Sequence, residues 1–277
     1  MQREHTNERN VLITGVSTGI GRATASLLAS NGFRVFGSSR RPPEGKTEFE
    51  WIPLDVTSNQ SVKSCVSEVL GRAGEIDVLI NNAGSAVIGA EEEISIKNAE
   101  KVFETNFFGL VRMTNAVLPS MRKNRKGLII NIGSMAAWIP LPFHGFQDAS
   151  KAAVISYSEA LRIELKPFGI KVVTVNPGMV ATHSEEELYK EGIIVEGRIK
   201  DYAPYEKKWL SAYIEGQVRM GEKPEAVANV ILKILCMKNP APQYFVGPEK
   251  RALWATKFLP SSVIESFVVR RFHSSKK

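Results

Sequence analysis

The chain is 277 residues long, 43% hydrophobic and 23% charged, which suits one large α/β domain with a sizeable core and excludes wholesale disorder. Cys65 and Cys236 cannot form a disulfide framework, no Cys/His cluster has zinc spacing, and no apolar run nears the ~20 residues of a membrane span. The net charge of +7 is concentrated in residues 250–277, where seven basic side chains face the single acid Glu265; a basic face for nucleic acid is not indicated, and a soluble, cytoplasmic protein is expected.

Short β-rich runs alternate with longer amphipathic stretches. Residues 11–13 read as a strand and 23–30 as a helix; residues 34–36 and 51–54 read as strands before a helix over 61–70. A strand at 78–80, a long helix over 100–122, a strand at 128–132 and a helix over 152–165 follow, then strands at 172–175 and 244–246. Most strands are near-continuous apolar runs, the mark of parallel strands covered on both faces. The alternation predicts a single doubly wound (Rossmann) parallel sheet with helices on both faces, in one domain spanning residues 1–277. Residues 182–220 break the alternation with polar, charged and scattered aromatic side chains, including Tyr189, Ile193, Ile194, Tyr202, Tyr205, Trp209 and Tyr213, and read as a lid. Glu185, Glu186 and Glu187 read as a solvated helix start, and Cys65 and Cys236 as small core fillers.

The first strand ends in Thr14-Gly15-Val16-Ser17-Thr18-Gly19-Ile20-Gly21 and enters a helix. Glycines there permit a tight turn and close backbone approach to a diphosphate, and the helix N-terminus offers free N–H groups to it.

Further segments join this turn: Leu54-Asp55-Val56-Thr57, Asn81-Asn82-Ala83-Gly84, Asn106, Ser134, Ala149-Ser150-Lys151 and Pro177-Gly178-Met179-Val180-Ala181-Thr182. In this order they resemble the short-chain dehydrogenase/reductase family over about residues 10–250. The resemblance implies a nicotinamide cofactor, with Gly15, Ser17, Thr18, Gly19, Ile20 and Gly21 at its diphosphate and Asp55 with Val56 near the adenine. It sets Asn82, Ala83 and Gly84 along the ribose, and Pro177, Gly178, Val180 and Thr182 on the nicotinamide side. An acid at the end of the second strand would bind the adenosine 2′-hydroxyl; this chain has Ser38-Ser39-Arg40-Arg41 instead. Arg40 can pair with a 2′-phosphate, Ser17 or Ser39 can add hydroxyl donors, and NADP(H) is expected over NAD(H).

In that family a Tyr-x-x-x-Lys pair follows a serine; the phenol protonates the substrate oxygen while lysine holds the ribose and lowers the phenol pKa. Ser134 and Lys151 fall into register, Asn106 is implied to help organise a water beside the lysine, and the tyrosine position holds Gln147. Tyr157 lies beyond Lys151 on another face of the helix. A primary amide donates a hydrogen bond but cannot surrender a proton near neutral pH. Loss of a positioned general acid costs ~10²–10⁴-fold, roughly 3–5.5 kcal/mol of barrier. Three explanations stand: a substitution introduced into an ordinary reductase, a different natural acid with His144 the nearest candidate, or a cofactor- or ligand-binding protein or non-redox enzyme on the same scaffold.

Ala86, Met135, Ala136, Trp138, Leu141, Phe143 and Phe146 fall near the implied substrate pocket, whose apolar character suits a lipophilic ketone or secondary alcohol. The extension over residues 250–277 resembles that of the steroid- and retinol-dehydrogenase-like branch. Val263, Ile264, Phe267, Val268 and Phe272 recur there at helical spacing beside Arg270 and Arg271, a pattern open to covering the substrate site, packing on a partner subunit or touching an anionic membrane. The family resemblance implies a homodimer or homotetramer through the helices at 100–122 and 152–165.

Overall fold

A computed structural model describes residues 9–181, 194–195, 199–248, 259–260, 262–263, 265–266 and 269. Seven strands, β1 (Asn10–Thr14), β2 (Arg34–Ser39), β3 (Glu50–Pro53), β4 (Val78–Asn81), β5 (Gly127–Ile132), β6 (Ile170–Pro177) and β7 (Gln243–Val246), form one sheet in the order 3-2-1-4-5-6-7. Every pairing is parallel. This is the doubly wound sheet expected from the alternation; each predicted strand falls on an observed one, and only that read over 51–54 overruns, by Leu54, the observed end at Pro53.

Alternate residues of each strand serve opposite faces. Val11 and Ile13 of β1 join Leu28 of α1 (Gly19–Ser30) and Val227, Ile231 and Ile234 of a later helix in one core cluster. Leu12 faces the other side, with Val62 and Val66 of α2 (Asn59–Ala73), Met113 and Val117 of α4 (Gly109–Asn124) and Leu161 of α5 (Gly145–Leu165). A strand buried on both faces has no polar register, which is why these runs read as continuously apolar.

The helix expected over 100–122 is two. α3 (Ile96–Phe103), capped by the Ser95 hydroxyl, is separated from α4 by a single π turn, Glu104–Phe108. A π turn inserts one residue and re-aims its neighbours, and here it contains Asn106, which is buried.

Two further helices complete the described fold: α6 (Ala203–Met220), in the expected lid, and α7 (Pro224–Cys236). Pro224 in the first turn of α7 suits a position whose N–H needs no partner. Cys236 ends α7 exposed, correcting its reading as a core filler; Cys65 is buried, and burial pushes its thiol up to about 12. Of the lid reading, residues 182–193, including Glu185 to Glu187, Tyr189 and Ile193, lie outside the described residues, as does most of the extension after 250.

Strand order reverses at β1, which sits between β2 and β4. In open α/β sheets the crevice beyond the strand C-termini at such a point is where ligands bind.

Candidate active site

A cleft of about 2220 Å³ opens at the switch point, roughly twice the upper end of ordinary ligand pockets (~1,000 Å³). Its floor is the β1–α1 turn. Gly15 takes φ +75°, and a Cβ there would lie 2.8 Å from the Ala83 Cα. At Gly21 a Cβ would meet the Gly15 carbonyl at 2.1 Å and Asn82 Nδ2 at 2.4 Å, so helix and turn close on each other only through glycine. Asn82 Nδ2 donates to the Thr14 and Gly15 carbonyls at 3.0 and 2.9 Å, bracing the turn rather than pointing away from it. Thr18 makes no side-chain cap to α1, which leaves the helix's first N–H groups available to an anion. A glycine cradle of this shape with an uncapped helix N-terminus fits the diphosphate of a dinucleotide.

Gly15, Ser17, Thr18, Ile20, Ser39, Arg40, Asp55, Val56, Asn82, Ala83, Gly84, Lys151, Pro177, Gly178 and Val180 all line this cleft. Gly19, at φ +58°, and Gly21 belong to the turn without lining the cleft, and Thr182 lies outside the described residues. Ser39 does not act as the free donor anticipated: its hydroxyl donates to the Arg41 carbonyl at 2.6 Å and accepts from Trp51 Nε1 at 3.0 Å. Arg40 and Arg41 are exposed, and among the described residues no acid pairs with either. Asp55 is engaged locally, its Oδ1 accepting from the Thr57 N–H and hydroxyl.

Lys151, one turn after Gln147 on α5, donates to the Ile132 carbonyl at 2.8 Å, and burial lowers its ammonium to about 8. Ser134 accepts from the Ala136 N–H at 3.1 Å, and among the described residues its own proton has no acceptor. Asn106 Nδ2 donates to the Ser85 carbonyl and to Ser150 Oγ, and Oδ1 accepts from the Ser85 N–H at 2.7 Å. Its side chain thus ties the loop after β4 to α5, with no proton left for a water.

Gln147 lines the cleft, its Oε1 buried and its side chain hydrogen-bonded to His144. Tyr157 packs edge-on against Phe107, away from it. His144, at the start of α5, is buried against Tyr213, ring centroids 4.6 Å apart. Burial lowers its imidazole to about 4, with Gln147 beside it pulling weakly the other way. At neutral pH the ring is uncharged and has no imidazolium proton to give.

Ala86, Met135, Ala136 and Leu141 join the cleft wall. Three expected pocket residues do not. Trp138 packs edge-on against Phe245 at 5.1 Å, and Phe146 packs on the Val87–Ile94–Val102 cluster. Phe143 takes φ +64°, a conformation costing an L residue ~1–2 kcal/mol, and lines a separate small pocket with Trp209 and Leu210.

The wall holds groups the sequence reading passed over. Asp148 is buried, accepts from the Leu141 N–H at 2.9 Å, and is raised to about 7 by burial first and then by Glu91. On α6, Trp209, Ala212, Tyr213, Gly216, Gln217 and Met220 form one lining stripe at helical spacing. That helix is fastened to the body by buried Glu206, whose Oε1 accepts from the Ala90 N–H at 2.8 Å.

Comparison with known proteins agrees with this geometry. A short chain dehydrogenase family profile matches residues 9–192. The 3-ketodihydrosphingosine reductase of Bacteroides thetaiotaomicron is 39% identical over 95% of this chain and 97% of its own. Retinol dehydrogenase 8 of Bos taurus is 34% identical over 84% of this chain and 79% of its own. Among solved structures, a short-chain dehydrogenase from Streptomyces avermitilis superposes with a TM-score of 0.77 at 28% identity, covering 96% of this chain and 97% of that one.

Proposed function

Because the chain belongs to the short-chain dehydrogenase/reductase family, in its retinol- and steroid-dehydrogenase-like branch, we propose an NADP(H)-dependent oxidoreductase for lipophilic ketones or secondary alcohols whose turnover is held down by Gln147. The observation that carries this reading is the composition of the wall around Gln147. Ser134 has a proton to share in a hydrogen bond, Lys151 carries charge, and Gln147, lining the same cleft one helical turn before Lys151, offers an amide.

A nicotinamide, when bound, supplies the hydride. Ser134 donates a hydrogen bond to the substrate oxygen, and the Gln147 amide can add a second. Both polarise the carbonyl; neither transfers a proton near neutral pH. Lys151, held by the Ile132 carbonyl and with a pKa of about 8, stays mostly protonated at pH 7 and favours negative charge developing on that oxygen. With His144 neutral, the final proton comes from water in this reading. Arg40 supports NADP(H): among the described residues no acid pairs with its guanidinium, which lines the cleft, and no acid at the end of β2 repels a 2′-phosphate.

Apolar Met135, Ile139, Leu141 and Met179 on the wall support a lipophilic substrate, in keeping with relatives named for a ketosphingoid and a retinoid. Exposed Phe108 and Ile163, beside α4 and on α5, support self-association through those helices. No described helix is long and apolar enough to cross a membrane.

The test is NADPH consumption over a panel of lipophilic ketones by this chain and by Gln147→Tyr. The variant should gain ~10²–10⁴-fold in kcat/KM, the usual worth of a positioned general acid. Tight NADPH binding with no turnover in either protein would favour the second reading, a cofactor-binding protein without redox activity, to which the uncharged Gln147–His144 pair also lends support.

A further inference from the structure

One titratable side chain of the cleft wall, Asp148, takes no part in the reaction described above. It lies in the first turn of α5, one turn beyond His144 and three residues before Lys151. That spacing puts it on the lysine's side of the helix, and it lines the same cleft as Ser134, Gln147 and Lys151. Its two oxygens differ. Oδ2 accepts from the Leu141 N–H at 2.9 Å, which fixes that atom as an acceptor. Oδ1 has no hydrogen-bond partner among the described residues and, unlike Gln147 Oε1, is not sealed off. It is the oxygen that can exchange a proton with the cleft.

The surroundings favour the acid form. Asp148 is buried, and among the described residues no cation pairs with it. Glu91, from the loop after β4, lies nearby and itself takes the Gly145 N–H at the start of α5, at 2.5 Å. Tyr213 on α6 and His144 on the preceding turn are both uncharged at neutral pH. Lys151 turns its ammonium to the Ile132 carbonyl. A buried carboxyl without a positive partner, beside a second carboxylate, holds its proton longer than an exposed one. Burial first, then Glu91, raises Asp148 to about 7, where acid and conjugate base coexist at neutral pH and a proton can be both given and regained.

We propose that Asp148 supplies the proton that completes reduction, passing it from Oδ1 through a water in the cleft to the substrate oxygen, in place of the phenol absent from position 147. As the carbonyl carbon takes up hydride, the Asp148 O–H bond breaks and the water accepts that proton. The same water releases one of its own to the substrate oxygen, where the new O–H bond forms. The carboxylate left behind regains a proton from solvent. This rests on the ketone-reductase reading and names the acid behind its water.

The test is a double-mutant cycle in the full chain: the unaltered protein, Asp148→Asn, Gln147→Tyr and the doubly substituted chain, each assayed with NADPH over the same lipophilic ketones. Asparagine keeps an oxygen for the Leu141 N–H and removes the acidic proton. Asp148→Asn should lower kcat about tenfold or more, with KM and the NADPH Kd within about threefold. In the Gln147→Tyr background, where the phenol gives the proton, the same exchange should cost no more than about twofold; an aspartate that only holds structure costs the same in both. The kcat of the unaltered chain should fall as pH rises through about 7, and that limb should vanish in Asp148→Asn. Independently of turnover, infrared difference spectra of the unaltered chain against Asp148→Asn should show a carboxylic acid that ionises near pH 7. An equal loss in both backgrounds, no loss at all, or turnover only in chains carrying Gln147→Tyr overturns the relay and leaves the reductase reading standing. So does a carboxylate already formed at about pH 5, as in an ordinary aspartate. NADPH binding without turnover in any of these chains overturns the reductase reading and the relay together.

Discussion

Replacing Asp148 by asparagine should stabilise the protein in mildly alkaline solution and change it little in acid. Asp148 is 6% exposed, and it accepts a hydrogen bond from the Leu141 N–H that an asparagine oxygen would keep. Burial, then Glu91, lifts its pKa from 3.8 to about 7. A folded-state pKa above the unfolded value means that the folded protein holds a proton the unfolded chain has already lost. Stability contributed by the neutral carboxyl is therefore complete below about pH 4 and is lost as pH rises to about 7. A shift of about three units at 1.36 kcal/mol each sets a ceiling near 4 kcal/mol. Asp148→Asn should gain less than about 1 kcal/mol at pH 4 and roughly 2–4 kcal/mol at pH 8. Urea unfolding of both proteins at the two pH values measures this. His144 and Tyr213, the other shifted groups nearby, are present in both proteins and their contributions largely cancel. An equal difference at both pH values, or a loss of stability at pH 8, would refute the assignment of Asp148 as a buried carboxyl opposed by its surroundings.

Arg40→Ala should weaken NADPH binding by about 10–100-fold, the worth of a charge-assisted pair, while NADH affinity barely moves; fluorescence titration with both dinucleotides reads the ratio. Dinucleotide affinity should decline as pH climbs through about 8, where Lys151 loses its charge, and Lys151→Met should bind weakly with that limb gone. Gly21→Ala places a Cβ against the backbone of Gly15 and should cost about 1–3 kcal/mol in stability together with most of the dinucleotide affinity, followed by thermal unfolding with and without NADPH.

Much of the fold was legible because burial on both faces writes the same signature into every strand: Val78 to Ile80 and Leu128 to Ile132 cannot be read as half-exposed. The cradle was legible for a related reason, since close backbone approach admits few residues besides glycine at positions such as 21. The pocket wall was not. Met135 and Trp138 are equally apolar and three residues apart, yet only the tertiary contact with Phe245 takes Trp138 out of the cleft. The π turn that buries Asn106 leaves the apolar periodicity of residues 100–122 looking like one helix. Gln217 and Asp148 were missed because neither type announces burial; the Trp209–Tyr213–Gln217 spacing was the available signal, two steps of one helical turn along the same face.

The arrangement of bonds also explains why binding and proton delivery can part company in this site. The cradle is held by main-chain geometry and by Asn82, and Lys151 is positioned by the Ile132 carbonyl. Asn106 reaches α5 through Ser150, whose own hydroxyl donates to the main-chain carbonyl of Gln147 at 2.7 Å. None of these bonds passes through the side chain at position 147. A phenol or an amide there leaves the anchors of Lys151 and Asn106 in place, whereas only the phenol carries an acidic proton. The Gln147→Tyr exchange should accordingly change kcat by orders of magnitude and the dinucleotide Kd by no more than a few-fold, and a Kd that moved as far as kcat would mean that residue 147 holds the cofactor rather than the proton.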